Sequence, residues 1–119
     1  MAHPQPPGDD ERLATRISDD VARLYLDTFG KGPLHTETFI NGDVVTTLLR
    51  EVFTSAERSM IDEGQSDAVM ATRTQWQNAT DGRFRSAVAE ATGRPVLAAI
   101  SGFDAQHDLA SEVFVLAPK

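Results

Sequence analysis

Four polar side chains stand where this chain can grip a ligand or a partner: Lys31, Arg73, Gln77 and Arg94. Arg73 and Gln77 lie one helical turn apart, a spacing that lets a guanidinium and an amide meet one carboxylate or one partner surface. Lys31 sits in Gly30-Lys31-Gly32-Pro33 and Arg94 in Gly93-Arg94-Pro95, two breaks of the same kind. With Arg73 they can form a basic rim for a small anionic metabolite, with His107 or Asp108 nearby. The glycine-lysine run also invites a phosphate-loop interpretation. Such a loop follows a strand and opens a helix, so that helix N-terminal amides meet the anion. Here the order is reversed, and helix termination followed by a turn is the better account. The plain account of Arg73 and Gln77 is an amphipathic boundary, with Trp76 buried and Arg73 paired to a neighbouring acid.

Other chemistries find less support. The 3 histidines, His3, His35 and His107, show no His-x-x-x-His spacing, so no metal site is assigned. Asp104, His107 and Asp108 lack the ligand pattern of a calcium loop and read as a solvated turn. Ser101-Gly102 is not a nucleophile elbow. With no cysteine, disulfides, thiol nucleophiles and thiolate metal sites are all excluded. No catalytic residue and no cofactor are assigned.

The bulk properties narrow the class further. A chain of 119 residues, 40% hydrophobic and 24% charged, fits one globular domain. Eleven basic against eighteen acidic residues give a formal charge of −7, the wrong sign for displacing phosphate counterions. Nucleic acid is therefore not an expected partner. No apolar run approaches the ~20 residues of a membrane span, and the start has neither the basic nor the apolar part of a secretory signal. The expected location is cytoplasmic, peripheral to a membrane only through a partner. Arg83 and Arg85, with Arg94 beyond, form the one local basic cluster.

The elements that must position these residues follow from periodicity. Met1 to Gly8 carries three of the prolines and reads as a disordered arm. Asp9 and Asp10 suit a helix start, and Leu13, Ile17, Val21, Leu24 and Thr28 mark one helical face up to the stop at Gly30. His35–Ile40 and Asp43–Leu49 read as strands around Asn41-Gly42, a strong hairpin turn signal, which would set Phe39 opposite Val44. Thr54-Ser55-Ala56-Glu57 is a capping-box pattern opening a short helix, with Met60 and Ile61 inward. Ser66 can cap a longer helix to Thr92, with Val69, Trp76, Phe84, Val88 and Ala91 inward and a kink or fraying at Asp81-Gly82. Val96–Ser101 and Ser111–Leu116 are the last strands, with Val96, Ala98 and Ile100 on one face and a polar loop between.

The order α-β-β-α-α-β-β implies an α+β fold in one domain over residues 9–119. It has a four-stranded antiparallel sheet, helices on one face, and two similar αββ halves. The strands are apolar on both faces, so the face away from the helices also calls for a cover. The expected cover is a second copy of the chain over that face or the sheet's edge, giving a homodimer; the rival is a monomer whose long helix shields more of the sheet.

Across this frame run Gly30-Lys31-Gly32-Pro33, Asp43, Leu49, Thr54-x-x-Glu57-Arg58, Gly64, Val69, Arg73, Gln77, Thr92-Gly93-Arg94, Val96, Ser101 and Glu112-Val113-Phe114. In these positions the chain resembles the MpsC domain family over roughly Leu13 to Pro118. That family, earlier a domain of unknown function, is described as a component of a bacterial sodium-translocating, membrane-potential-generating system. The resemblance implies a soluble, non-enzymatic accessory or interaction module associated with a membrane transport complex. It supplies no catalytic residues. The alternative is the anionic-metabolite binder or enzyme built on Lys31, Arg73 and Arg94.

Overall fold

The computed structural model describes residues 9–119; the arm expected over residues 1–8 lies outside them. The first helix, α1 (Asp9–Phe29), buries Ile17, Val21 and Tyr25, one side chain per turn. Gly30 ends it at φ 78°, with its amide bonded to the Leu26 carbonyl. A hairpin of β1 (His35–Asn41) and β2 (Val44–Arg50) follows. Its register differs from the expected one: Asn41 pairs with Val44 and Phe39 with Thr46. Gly42 and Asp43 make the turn, and only Gly42 needs a left-handed φ, 61°. The slip is by two residues, so every side chain keeps the face the pattern gave it.

Thr54 caps α2 (Ser55–Asp62) through the full capping box with Glu57. Ile61 packs against the core as expected, but Met60 is 41% exposed, because α3 is the one helix or strand this short helix packs on among the described residues. The long helix α3 (Ser66–Thr92) starts from Gln65 without a side-chain cap, so Ser66 is its first residue rather than its cap. It runs through Asp81-Gly82 unbroken and stops at Gly93, φ 70°. Its buried face is Val69, Arg73, Gln77, Phe84 and Val88. Trp76 points outward instead, 52% exposed. Arg73 takes the inward position, where a carboxylate awaits it.

β3 (Val96–Asp104) and β4 (Leu109–Leu116) form the second hairpin, longer than expected, leaving a turn of only four residues, 105–108. A bulge between Val96 and Ala98 breaks the alternation of β3. Beyond it Ala99 and Phe103 join Val96 against the core, while Ile100 faces away. The sheet is fully antiparallel in the order β1-β2-β4-β3, so the two hairpins meet through their second strands. Helices α1 and α3 pack on one face. Val45 and Leu49 from β2, and Ala110, Phe114 and Leu116 from β4, meet them there in the core. Each of the valine, leucine and phenylalanine side chains among them contributes about 1.5–3 kcal/mol through burial.

Candidate functional site

Three charged clusters near the seam between the helices and the sheet bear on the candidate site. The first centres on Glu112 of β4, 1% exposed and on the same face as Phe114 and Leu116. Ser101, its partner across the β3–β4 ladder, donates to Oε1 at 2.7 Å. Gln77 of α3 donates from Nε2 to the same oxygen at 2.7 Å, and the Tyr25 hydroxyl of α1 donates to Oε2 at 2.9 Å. Burial pushes the Glu112 carboxyl up to about 7; the Ser101 and Tyr25 hydrogen bonds hold it down and Asp81 adds to the rise. Burial, followed by the Glu112 charge, raises the Tyr25 hydroxyl well above its ordinary range. Four elements thus share one buried carboxyl near neutrality.

The second place centres on Arg73, 1% exposed. Its Nε and Nη2 meet the two Glu57 carboxylate oxygens at 2.7 and 2.6 Å, and Nη2 also donates to the Val52 carbonyl at 2.8 Å. The guanidinium carbon lies 3.9 Å from the Phe29 ring centroid and 5.2 Å from that of Phe53, a cation held between aromatic faces. Burial alone would raise the Glu57 carboxyl. The Arg73 hydrogen bonds and the Thr54 amide outweigh it and hold the group below its ordinary value.

The third is Asp108, in the turn before β4, with a left-handed φ of 52°. Its Oδ1 accepts from the amides of Val52 at 2.7 Å and Phe53 at 3.1 Å, and its Oδ2 lies 3.5 Å from Nη1 of Arg58. The adjoining Glu51, φ 58°, donates its amide to the Asp108 carbonyl at 2.9 Å.

Among the four residues expected to bind, Arg73 and Gln77 do come together on the buried face of α3, but they serve internal carboxylates. Lys31 bonds the Glu51 carbonyl and, at 3.3 Å, that of Gly32. It therefore shares the 51–52 backbone with Arg73. Arg94 is elsewhere: it donates to the Ala117 carbonyl at 2.7 and 3.0 Å and pairs with Asp43 across the hairpin. The three cations do not converge on one concavity. Arg73 borders a cleft of about 200 Å³ and Arg94 a separate cavity of about 340 Å³. His107 is exposed, with its amide and ring on Asp104, whose carboxyl that amide holds below its ordinary value. Asp81 pairs with Arg85 at 2.6 Å. Among the described residues no group of three His, Cys, Asp or Glu side chains is placed to hold a metal ion. The residues that pattern reasoning passed over are Tyr25 and Glu112. Position signals both: Glu112 shares its strand face with Phe114 and Leu116, and Tyr25 follows Ile17 and Val21 at four-residue helical spacing.

Among the described residues no helix lies on the other face of the sheet. Phe39, Val44 and Ile100 lie on it, 55%, 38% and 64% exposed, beside the half-buried Leu48, Val113 and Val115. Its charges stand toward one end, where Arg50 approaches Glu37 at 3.8 Å.

The model of one protein family, Na+-translocating membrane potential-generating system (MpsC), matches residues 9–118, and the chain belongs to that family. Neither a curated protein nor a solved structure matches it. Among the described residues no helix is long and apolar enough to cross a membrane.

Proposed function

We propose that this chain is a non-enzymatic accessory subunit of a sodium-translocating, membrane-potential-generating system. It works on the cytoplasmic side as a homodimer joined through the open face of its sheet, and reaches the membrane through a partner. The observation that carries this reading is that face: an apolar centre of Phe39, Val44, Leu48, Ile100, Val113 and Val115 on a chain of charge −7. Interface cores are depleted of charge in the same way. A two-fold copy would lay apolar centre on apolar centre and keep the Glu37–Arg50 end away from the middle. The polar side chains fit the same reading, because they hold the fold together instead of lining a reactive pocket.

Sedimentation of the purified chain tests the dimer. Wild type should run as a dimer, and Ile100→Asp and Val115→Asp as folded monomers by circular dichroism. A wild-type chain that stays monomeric at high concentration overturns the interface. Membrane-potential measurement tests the role: cells lacking the protein should lose sodium-dependent potential, restored by wild type and not by Ile100→Asp. An unchanged potential in those cells overturns the accessory reading.

A further inference from the structure

We propose that Glu112 and Gln77 form a proton-operated switch inside the fold: Glu112 binds one proton, and the Gln77 amide turns over to accept its hydrogen bond. Glu112 is 1% exposed, and its three partners, Tyr25, Gln77 and Ser101, are all uncharged. The charged groups on the elements around it are engaged with one another. On α3, Arg73 lies one turn before Gln77 and is held by Glu57 of α2, while Asp81 lies one turn beyond and pairs with Arg85. The α1 group that meets it is the Tyr25 hydroxyl, and the residues opposite it on β2 and β3 are Thr47 and Ser101. A buried carboxylate without a cation is costly, and a proton taken from solvent removes that charge.

All three hydrogen bonds run toward Glu112, an arrangement that serves the carboxylate. It leaves Oε1 of Gln77 buried with no partner. Protonation reverses the need, because the new O–H donates and must find an acceptor. The free Gln77 oxygen belongs to the amide whose Nε2 already lies 2.7 Å from Oε1 of Glu112. A half-turn about the last side-chain torsion exchanges that oxygen and nitrogen in place, so no cavity is required. The proton then sits on Oε1 of Glu112 and is donated to Oε1 of Gln77, while Nε2 leaves the carboxyl and Tyr25 keeps Oε2. In one state α3 offers β4 a donor, and in the other an acceptor. Ser101, half-buried on the edge strand β3 and bonded to Oε1, links that oxygen toward solvent. The switch is separate from the open sheet face and does not depend on the chain being a dimer.

Nuclear magnetic resonance of the full wild-type chain follows both groups, each assigned through its own backbone. The Glu112 carboxyl carbon should titrate with a midpoint of about 7. The Gln77 side-chain amide protons should shift, and exchange faster with water on the acid side, at that same midpoint. In Glu112→Gln they should hold one position over the same range. Gln77→Met removes the partner of both states and should move the Glu112 midpoint by less than about one pH unit, whereas loss of a donor fixed on the carboxylate would raise it by about one to two. A carboxyl that stays ionised through neutral pH, or Gln77 amide protons that do not follow its titration, overturns the switch. So does a rise of more than about one pH unit in Gln77→Met.

Discussion

Arg73 and Glu57, sixteen residues apart in the chain, face each other through two parallel hydrogen bonds. The pair is asymmetric: Arg73 is 1% exposed and Glu57 20%. That asymmetry decides what each deletion does. Removing Glu57 strands a cation with no route to water, whereas removing Arg73 leaves a carboxylate at the rim that still caps Thr54.

Glu57→Ala should therefore destabilise by about 3 kcal/mol or more, the usual effect of leaving a buried charge unpaired. Arg73→Met, which keeps volume and removes the charge, should lose distinctly less. Urea unfolding of the two variants checks the order, and equal losses would contradict the asymmetry.

Glu112 makes stability depend on pH in a stated direction. Its carboxyl is near 7 in the folded chain and near 4.5 in the unfolded one, so the folded state binds the proton more tightly. Its contribution is complete below about pH 4.5 and is lost as pH rises to about 7, on the order of 3 kcal/mol in all. Glu112→Gln stays neutral throughout and should flatten that part of the profile, matching or exceeding wild type at pH 8. A sloping profile in the variant, measured by chemical unfolding across pH 4.5 to 8, would assign the dependence elsewhere.

Asp108 supplies one oxygen to two buried amides while its own backbone is left-handed. Asp108→Ala should lose about 2–4 kcal/mol by thermal or urea unfolding, since both amides go unpaired and alanine tolerates positive φ poorly. Asp108→Asn keeps an acceptor and a residue type suited to that backbone, so most of the stability should return. Equal loss in both variants would mean that the carboxylate charge toward Arg58, rather than the acceptor, is what matters.

The element order, the two glycine stops of the long helices and the Thr54–Glu57 cap were legible because each is local: a break, a period, a four-residue pattern. The doubly apolar strands were legible for the same reason. The inward face of α3 was not. Trp76 and Arg73 lie on adjacent faces, and hydrophobicity alone turns tryptophan in. What turns arginine in is Glu57 on another helix together with the Phe29 and Phe53 rings, and no local pattern shows them. The bulge at Leu97 was hidden similarly: it moves Ile100 to the open face without altering the composition of the strand. Arg94 was legible only in part. Its break is real, and its guanidinium ties the chain end and the first hairpin together, contacts that the break pattern does not show.

The stretch from Glu51 to Phe53 belongs to no helix or strand, yet its backbone is held from every side. Lys31 takes the carbonyl of Glu51, Arg73 that of Val52, and Asp108 the amides of Val52 and Phe53. The loop after α1, the long helix and the second hairpin all grip these three residues. None of them can come away without releasing the others' hold on the same segment. The two αββ halves, alike enough to suggest independent units, are thereby locked into a single cooperative folding unit, and neither half should persist as a partly melted intermediate.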